Sequence, residues 1–149
     1  MDEKFILNEM KLGYTSKVKP SERVCIKSFK DIYNTLLSIW PDIELCESFA
    51  MICLNRANKI LGINFISKGG TSGTVIDLKL IASTAILSNS SAVIIVHNHP
   101  SGNIQPSDAD RSITNKIKNA LELFDIKLLD HIIITNEGYY SFVDEGMLN

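Results

Sequence analysis

Two short segments of this chain, Phe49–Leu54 and Ala92–Val96, are apolar at every position. Runs of five or six such residues have no polar face to offer solvent, and they are shorter than a typical helix. They therefore predict strands buried on both sides. Other stretches of the chain carry the helical period. Phe29, Ile32, Tyr33, Leu36, Leu37 and Trp40 fall at i, i+3, i+4, i+7, i+8 and i+11, behind Ser28 as a candidate N-cap and ahead of the helix-stopping Pro41. Asp77 can cap a second helix to about Leu87, with Leu80, Ile81, Ala85 and Ile86 inward. Ser107 opens a third, whose apolar face is Ile113, Ile117, Ala120, Leu121 and Phe124.

The remaining strands follow from turn chemistry. Asn55–Asn58 reads as a turn joining the first apolar strand to a partner at Lys59–Ser67, a hairpin. Leu128–Thr135 and Tyr139–Val143 flank the turn Asn136-Glu137-Gly138, and Gly69, Gly70 and Gly73 mark a loop. Strands and helices thus alternate irregularly, which predicts an α/β (α+β) domain with a mixed central sheet flanked by helices. The expected organisation is an N-terminal arm, residues 1–27, followed by one domain over residues 28–149. With 45% apolar and 21% charged residues, the chain has the means to build one packed core.

Charge and cysteine usage narrow the function classes. The formal net charge of −2 argues against a large duplex-binding surface, which needs a basic footprint. Lys11, Lys17, Lys19, Arg23, Lys27 and Lys30 leave nucleic acid only weakly supported as a partner, and a solvated arm explains them as well. No apolar run approaches the ~20 residues of a membrane span, and Met1–Met10 lacks a secretory signal's apolar stretch, so the expected location is cytoplasmic. Cys25, Cys46 and Cys53 have no paired spacing and are expected to be buried free thiols.

Chemistry concentrates in His97-Asn98-His99-Pro100-Ser101-Gly102-Asn103-Ile104-Gln105-Pro106-Ser107-Asp108-Ala109-Asp110. Side chains at i and i+2 of an extended segment point the same way, with Cα atoms ~6.5–7 Å apart. His97 and His99 at a strand end can therefore converge on one ion, and Asp110, in the first turn of the next helix, can complete an open zinc site. A cation there lowers the pKa of water from 15.7 to roughly 7. Hydrolysis also needs a carboxylate to move the proton, for which Glu44 and Glu47 are candidates. Glu47 is preferred because it abuts the apolar strand, where partial burial suits a proton carrier.

Ser107 fits a capping-box start, and its hydroxyl can also donate to a developing oxyanion. Asn98 is expected to face away from the metal and to anchor a loop. His131 is expected to be structural, or to support a ligand from behind. Tyr139 and Tyr140 are expected to pack on the faces of the sheet.

His97-x-His99, seven residues, Ser107, two residues and Asp110 together resemble the JAMM motif of the JAB/MPN metalloprotease superfamily. The wording His97-Asn98-His99-Pro100-Ser101-Gly102, with Glu47-Ser48-Phe49, Gly70-Thr71 and Asp130-His131-Ile132-Ile133, is similar more narrowly to the RadC family. That resemblance implies a JAB/MPN fold and one zinc on His97, His99 and Asp110. It implies Glu47 as general acid and base, and Ser107 as helper at the oxyanion. Members with this motif cleave peptide or isopeptide bonds, so a peptide or protein substrate is implied. The RadC family also carries a DNA-repair name. Longer RadC proteins have a helix-hairpin-helix region ahead of this domain, where an arm is expected here. Asp77-Leu78-Lys79 replaces a Pro-Arg pair common in relatives.

The function expected is a zinc-dependent hydrolase of the metallopeptidase or isopeptidase type. The alternatives are a DNA-associated repair or mobile-element module whose metal site is not peptidolytic, and a metal-dependent nuclease. A two-metal nuclease needs more carboxylates near the site.

Overall fold

The structure, a computed structural model, describes residues 11, 13–69 and 75–148. Met1–Met10, Gly70, Thr71 and Gly73 lie outside the described residues. After a 3-10 turn at Pro20–Glu22 come helix α1 (Lys30–Ile39), strands β1 (Ser48–Leu54) and β2 (Ile60–Lys68) and helix α2 (Leu78–Leu87). Strand β3 (Ala92–Asn98), helix α3 (Asp108–Glu122) and strands β4 (Lys127–Thr135) and β5 (Gly138–Ser141) follow. The five strands form one sheet in the order β2-β1-β3-β4-β5. β3 and β4 run parallel, and every other pair is antiparallel. The parallel pair needs a crossover, and α3 supplies it. This is the mixed sheet flanked by helices expected of the JAB/MPN fold.

The apolar strands β1 and β3 are buried along their whole length because the sheet separates two cores. Phe49, Met51, Cys53, Val93 and Ile95 pack with Ile81, Ala85, Ile117 and Leu121 of α2 and α3. Ala50, Ile52, Leu54, Ile94 and Val96 pack with Ile32, Leu36 and Trp40 on the α1 side. Tyr140 joins the first core and Tyr139 the second, as packing residues of the two faces.

Several expectations need correction. Ser28 does not cap α1. The N-cap is Phe29, and the Asp31 carboxylate reaches back instead, accepting from the backbone N–H groups of Ser28 (2.9 Å) and Lys27 (3.2 Å). Those bonds hold the Asp31 carboxyl below its ordinary pKa. On α2 only Ile81 and Ala85 are buried, whereas Leu80 and Ile86 are exposed. α3 ends at Glu122, leaving Phe124 outside the helix and exposed. β5 stops at Ser141, and Cys25 is exposed while Cys53 is buried. Asp77 and Ser107 do cap α2 and α3.

One irregularity decides what reaches the site. Between β3 and β4 the register runs Val93 with Leu128, then Ile94 with Asp130, so Leu129 is an extra residue. Side chains alternate along a strand, and one inserted residue flips all that follow. Leu128 lies in the α2/α3 core; without the bulge His131 would turn to the α1 face. With it, His131 stands beside Ile95 in register, on the side of Phe49 and Phe142. The bulge is tied down by Asp130, whose carboxylate accepts from the His131 N–H (2.8 Å), the Val143 N–H (3.1 Å) and the Ser141 hydroxyl (2.5 Å).

Because the sheet separates the cores, damage on one face should spare the other. Leu36→Ala empties a fully buried position under α1 and is expected to cost about 2–5 kcal/mol in denaturant unfolding. Any zinc uptake at His97, His99 and Asp110, titrated on the same protein, should match that of the wild type.

Candidate metal centre

β3 extends two residues beyond Val96, so His97 sits within the sheet, opposite Phe49 of β1 and Ile133 of β4. Its ring stacks on Phe49 at 5.8 Å. Asn98, one step along, faces the other way. Its Oδ1 accepts from the Ser48 N–H (2.7 Å), and its Nδ2 donates to the carbonyls of Ile43 and Cys46 (both 2.8 Å). The segment so anchored is the one that carries Glu47.

His99 follows the strand end and turns back to the same side as His97, so that the two Nε2 atoms lie 3.0 Å apart. Asp110 is the third residue of α3. Its Oδ1 is 3.2 Å from His97 Nε2, and its Oδ2 is 3.2 Å from His99 Nε2. The capping box explains this aim: the Ser107 N–H donates to Asp110 Oδ2 (2.8 Å), and the Ser107 hydroxyl accepts from the Asp110 N–H (3.1 Å).

Of the two candidate glutamates, Glu47 has its Oε1 3.7 Å from His97 Nε2. Glu44 is turned away, accepting from the Asn136 side chain at 2.7 Å. Glu47, His97, His99 and Asp110 thus bring one ligand-type atom each within 4.8 Å of one another. Ser107 reaches this group through Asp110. Sequence reasoning expected His131 to be structural or to support a ligand from behind. It lies directly behind His97, with its Nε2 2.7 Å from His97 Nδ1 and its Nδ1 2.6 Å from the Thr114 hydroxyl. Thr114 carried no signal in the sequence, except that it stands at i+4 from Asp110.

The donor set fits a cation. His99 Nδ1 lies 2.6 Å from the Asn103 carbonyl oxygen. A carbonyl only accepts, so Nδ1 carries the hydrogen and the neutral ring turns its Nε2 lone pair into the cluster. Two imidazoles and a carboxylate with a position left open is a zinc-type set. Without an ion the cluster holds protons instead. Burial alone would push His99 down, but the Asp110 carboxylate and the Asn103 carbonyl outweigh it and raise its pKa above the ordinary histidine value. Burial likewise opposes ionisation of Asp110, yet the imidazoles of His97 and His99 that face it hold its carboxyl far below the usual range. Burial pushes His131 well below the histidine range.

A family model described as the RadC-like JAB domain matches residues 26–147. The chain belongs to the RadC-like JAB domain family. Among its relatives, a UPF0758 protein of Flavobacterium johnsoniae is 43% identical over 122 residues, 82% of this chain and 53% of the relative. One from Porphyromonas gingivalis is 37% identical over 127 residues, 85% of this chain and 56% of the relative. One from Thermotoga maritima is 41% identical over 102 residues, 68% and 46% respectively. The chain spans about half the length of these curated relatives. The matched residues include the whole cluster from Glu47 to Asp110, together with Thr114 and His131. Among the described residues, no helix is long and apolar enough to cross a membrane.

The proton-filled and ion-filled forms of this cluster should respond oppositely to pH. His99, with its pKa raised, stabilises the metal-free fold below its unfolded value of about 6.5, and this is lost as pH rises through the folded pKa. Asp110, with its pKa depressed, contributes above an unfolded value of about 3.9 and loses that contribution as pH falls further. A zinc ion held here would have to displace the His99 proton. Zinc affinity should therefore rise between pH 6 and 8, with proton release on binding, while the metal-free protein becomes less stable. Calorimetry in buffers of different ionisation enthalpy, beside thermal melts, measures both trends.

Proposed function

We propose that the chain is a zinc-dependent hydrolase of peptide or isopeptide bonds, with His97, His99 and Asp110 as the metal ligands. The convergence of four ligand-type atoms within 4.8 Å, in a chain of the RadC-like JAB domain family, carries this reading. When bound, zinc lowers the pKa of a water and polarises the scissile carbonyl.

The protein's own groups do the rest. Glu47 Oε1 stands 3.7 Å from His97 Nε2, outside hydrogen-bond contact and close enough for a water beside the pair to touch the carboxylate. As general base it takes one proton from the attacking water. As general acid it delivers that proton to the leaving nitrogen, so the C–N bond breaks to give a carboxyl group and an amine. The Ser107 hydroxyl accepts from the Asp110 N–H and still carries a proton to give the oxyanion. The N-terminus of α3 adds its partial positive charge on the same side. An extended substrate laid along β2, the outer strand whose Lys68 pairs with Ser48 next to Glu47, would gain main-chain pairing there.

The first measurement is zinc per chain by elemental analysis on protein purified without chelator, followed by turnover of peptide and isopeptide substrates. Glu47→Gln is expected to keep about one zinc per chain and to lose turnover altogether. If Glu47→Gln turned over at the wild-type rate, the proton carrier would have to be another group. Ser107→Ala is expected to retain zinc and to lose ~10²–10³ in kcat. A full-speed Ser107→Ala enzyme would reduce Ser107 to its capping role. A wild-type chain that took up no zinc even on titration would end the metallohydrolase reading.

A further inference from the structure

Behind His97 runs a line of hydrogen bonds whose direction can be worked out from its far end. The Thr114 hydroxyl oxygen lies 2.6 Å from the Asp110 carbonyl oxygen, to which it donates, and 2.6 Å from His131 Nδ1. A hydroxyl has one proton. With that proton on the carbonyl, the Thr114 oxygen must accept, so His131 Nδ1 carries a hydrogen. A neutral imidazole then has a bare Nε2, which lies 2.7 Å from His97 Nδ1. His97 therefore carries its hydrogen on Nδ1, and its lone pair is on Nε2, the atom facing Asp110 Oδ1.

The opposite direction would draw the hydroxyl proton off the carbonyl and leave the hydrogen of His97 on Nε2, where it blocks a metal. Water has little access to scramble the order, since His131, Thr114 and His97 are 0%, 2% and 1% exposed. The rings are also held in place: His131 stacks on Phe142 at 4.6 Å with 11° between planes, and His97 stacks on Phe49 at 13°.

We infer that Thr114 and His131 are positioning residues that select the Nδ1–H form of His97 and so hold a ready metal ligand. The circuit is closed within one residue. The Asp110 carbonyl starts the line of bonds, and the Asp110 carboxylate stands 3.2 Å from the Nε2 at its end, where both would face the same ion. The inference rests on the metal-centre reading of the site and is independent of which bond is cleaved.

The test uses zinc affinity and ring protonation, neither of which involves turnover. In the metal-free protein above the His99 pKa, long-range ¹H–¹⁵N correlation should find His97 as the Nδ1–H tautomer. Thr114→Val keeps the side-chain shape and removes the hydroxyl. It should give mixed tautomers at His97 and lower zinc affinity about 10–100-fold, the range for loss of a partner behind a metal ligand. His131→Leu should lose at least as much. His131→Gln, whose amide oxygen can accept from His97 Nδ1, should recover most of the affinity. Melting curves identify any variant that fails to fold, and Thr114→Val is the one least exposed to that failure. Folded Thr114→Val and His131→Leu proteins with wild-type affinity and an unchanged His97 tautomer would overturn the inference while leaving the metal centre standing. A wild-type protein that bound no zinc would overturn both.

Discussion

The last two residues of β3 hold this site together through the pleat of a strand buried on both sides. Successive side chains on a strand point to opposite faces, so His97 and Asn98 divide the work. His97 points toward α3 and the candidate metal position. Asn98 points toward the opposite face, where its carboxamide makes three bonds to the segment 43–48. Glu47, contributed by that segment, then stands 3.7 Å from His97. One strand end thus fixes both the ligand and the distance of the carboxylate from it. The fixture is rigid because β3 is the middle strand, hydrogen-bonded on both sides by β1 and β4.

Such a site is costly to the fold. It gathers two carboxylates and two imidazoles at the edge of a core, where polar groups must find partners. The structure meets that demand with local bonds made before any ion arrives. Asp110 has the Ser107 N–H, His99 has the Asn103 carbonyl, and His97 has His131. Each of these partners also restricts how its group can turn. Satisfying the backbone at the start of α3 and aiming a carboxylate are here one arrangement, because the capping residue at N3 is Asp110 itself. The short side chain of aspartate in place of the more usual glutamate keeps both functions within one turn.

Much of this was legible in the sequence where a single rule dominates. All-apolar segments of five or six residues have one comfortable place, and β1 and β3 occupy it. The His97-x-His99 spacing declares a shared direction, and Ser107 followed by Asp110 declares a helix start. The expectations that failed are those where two local options compete. Ser28 could have capped α1, but the Asp31 carboxylate reaches back instead to the N–H groups of Ser28 and Lys27. Leu80, Ile86 and Phe124 matched the apolar period, yet tertiary packing left them exposed. Glu44 and Glu47 were close rivals by sequence. They are separated by Asn98 and Asn136, bonds spanning 50 and 92 residues that no local pattern encodes.

The bulge in β4 could not be read from sequence at all, and it says most about what the sheet is built to do. Leu128–Thr135 has the look of a regular strand, and a regular strand would have turned His131 toward α1. Keeping the extra residue means leaving the ladder interrupted at Leu129 and burying the Asp130 carboxyl, whose pKa is raised by that burial. A sheet under pressure for stability alone has no reason to keep both costs. What they bring is a second buried imidazole within 2.7 Å of His97. Departures from regularity in a folded chain concentrate where function demands them. Here the bulge, the aspartate capping box and the histidine pair all bear on one nitrogen, Nε2 of His97.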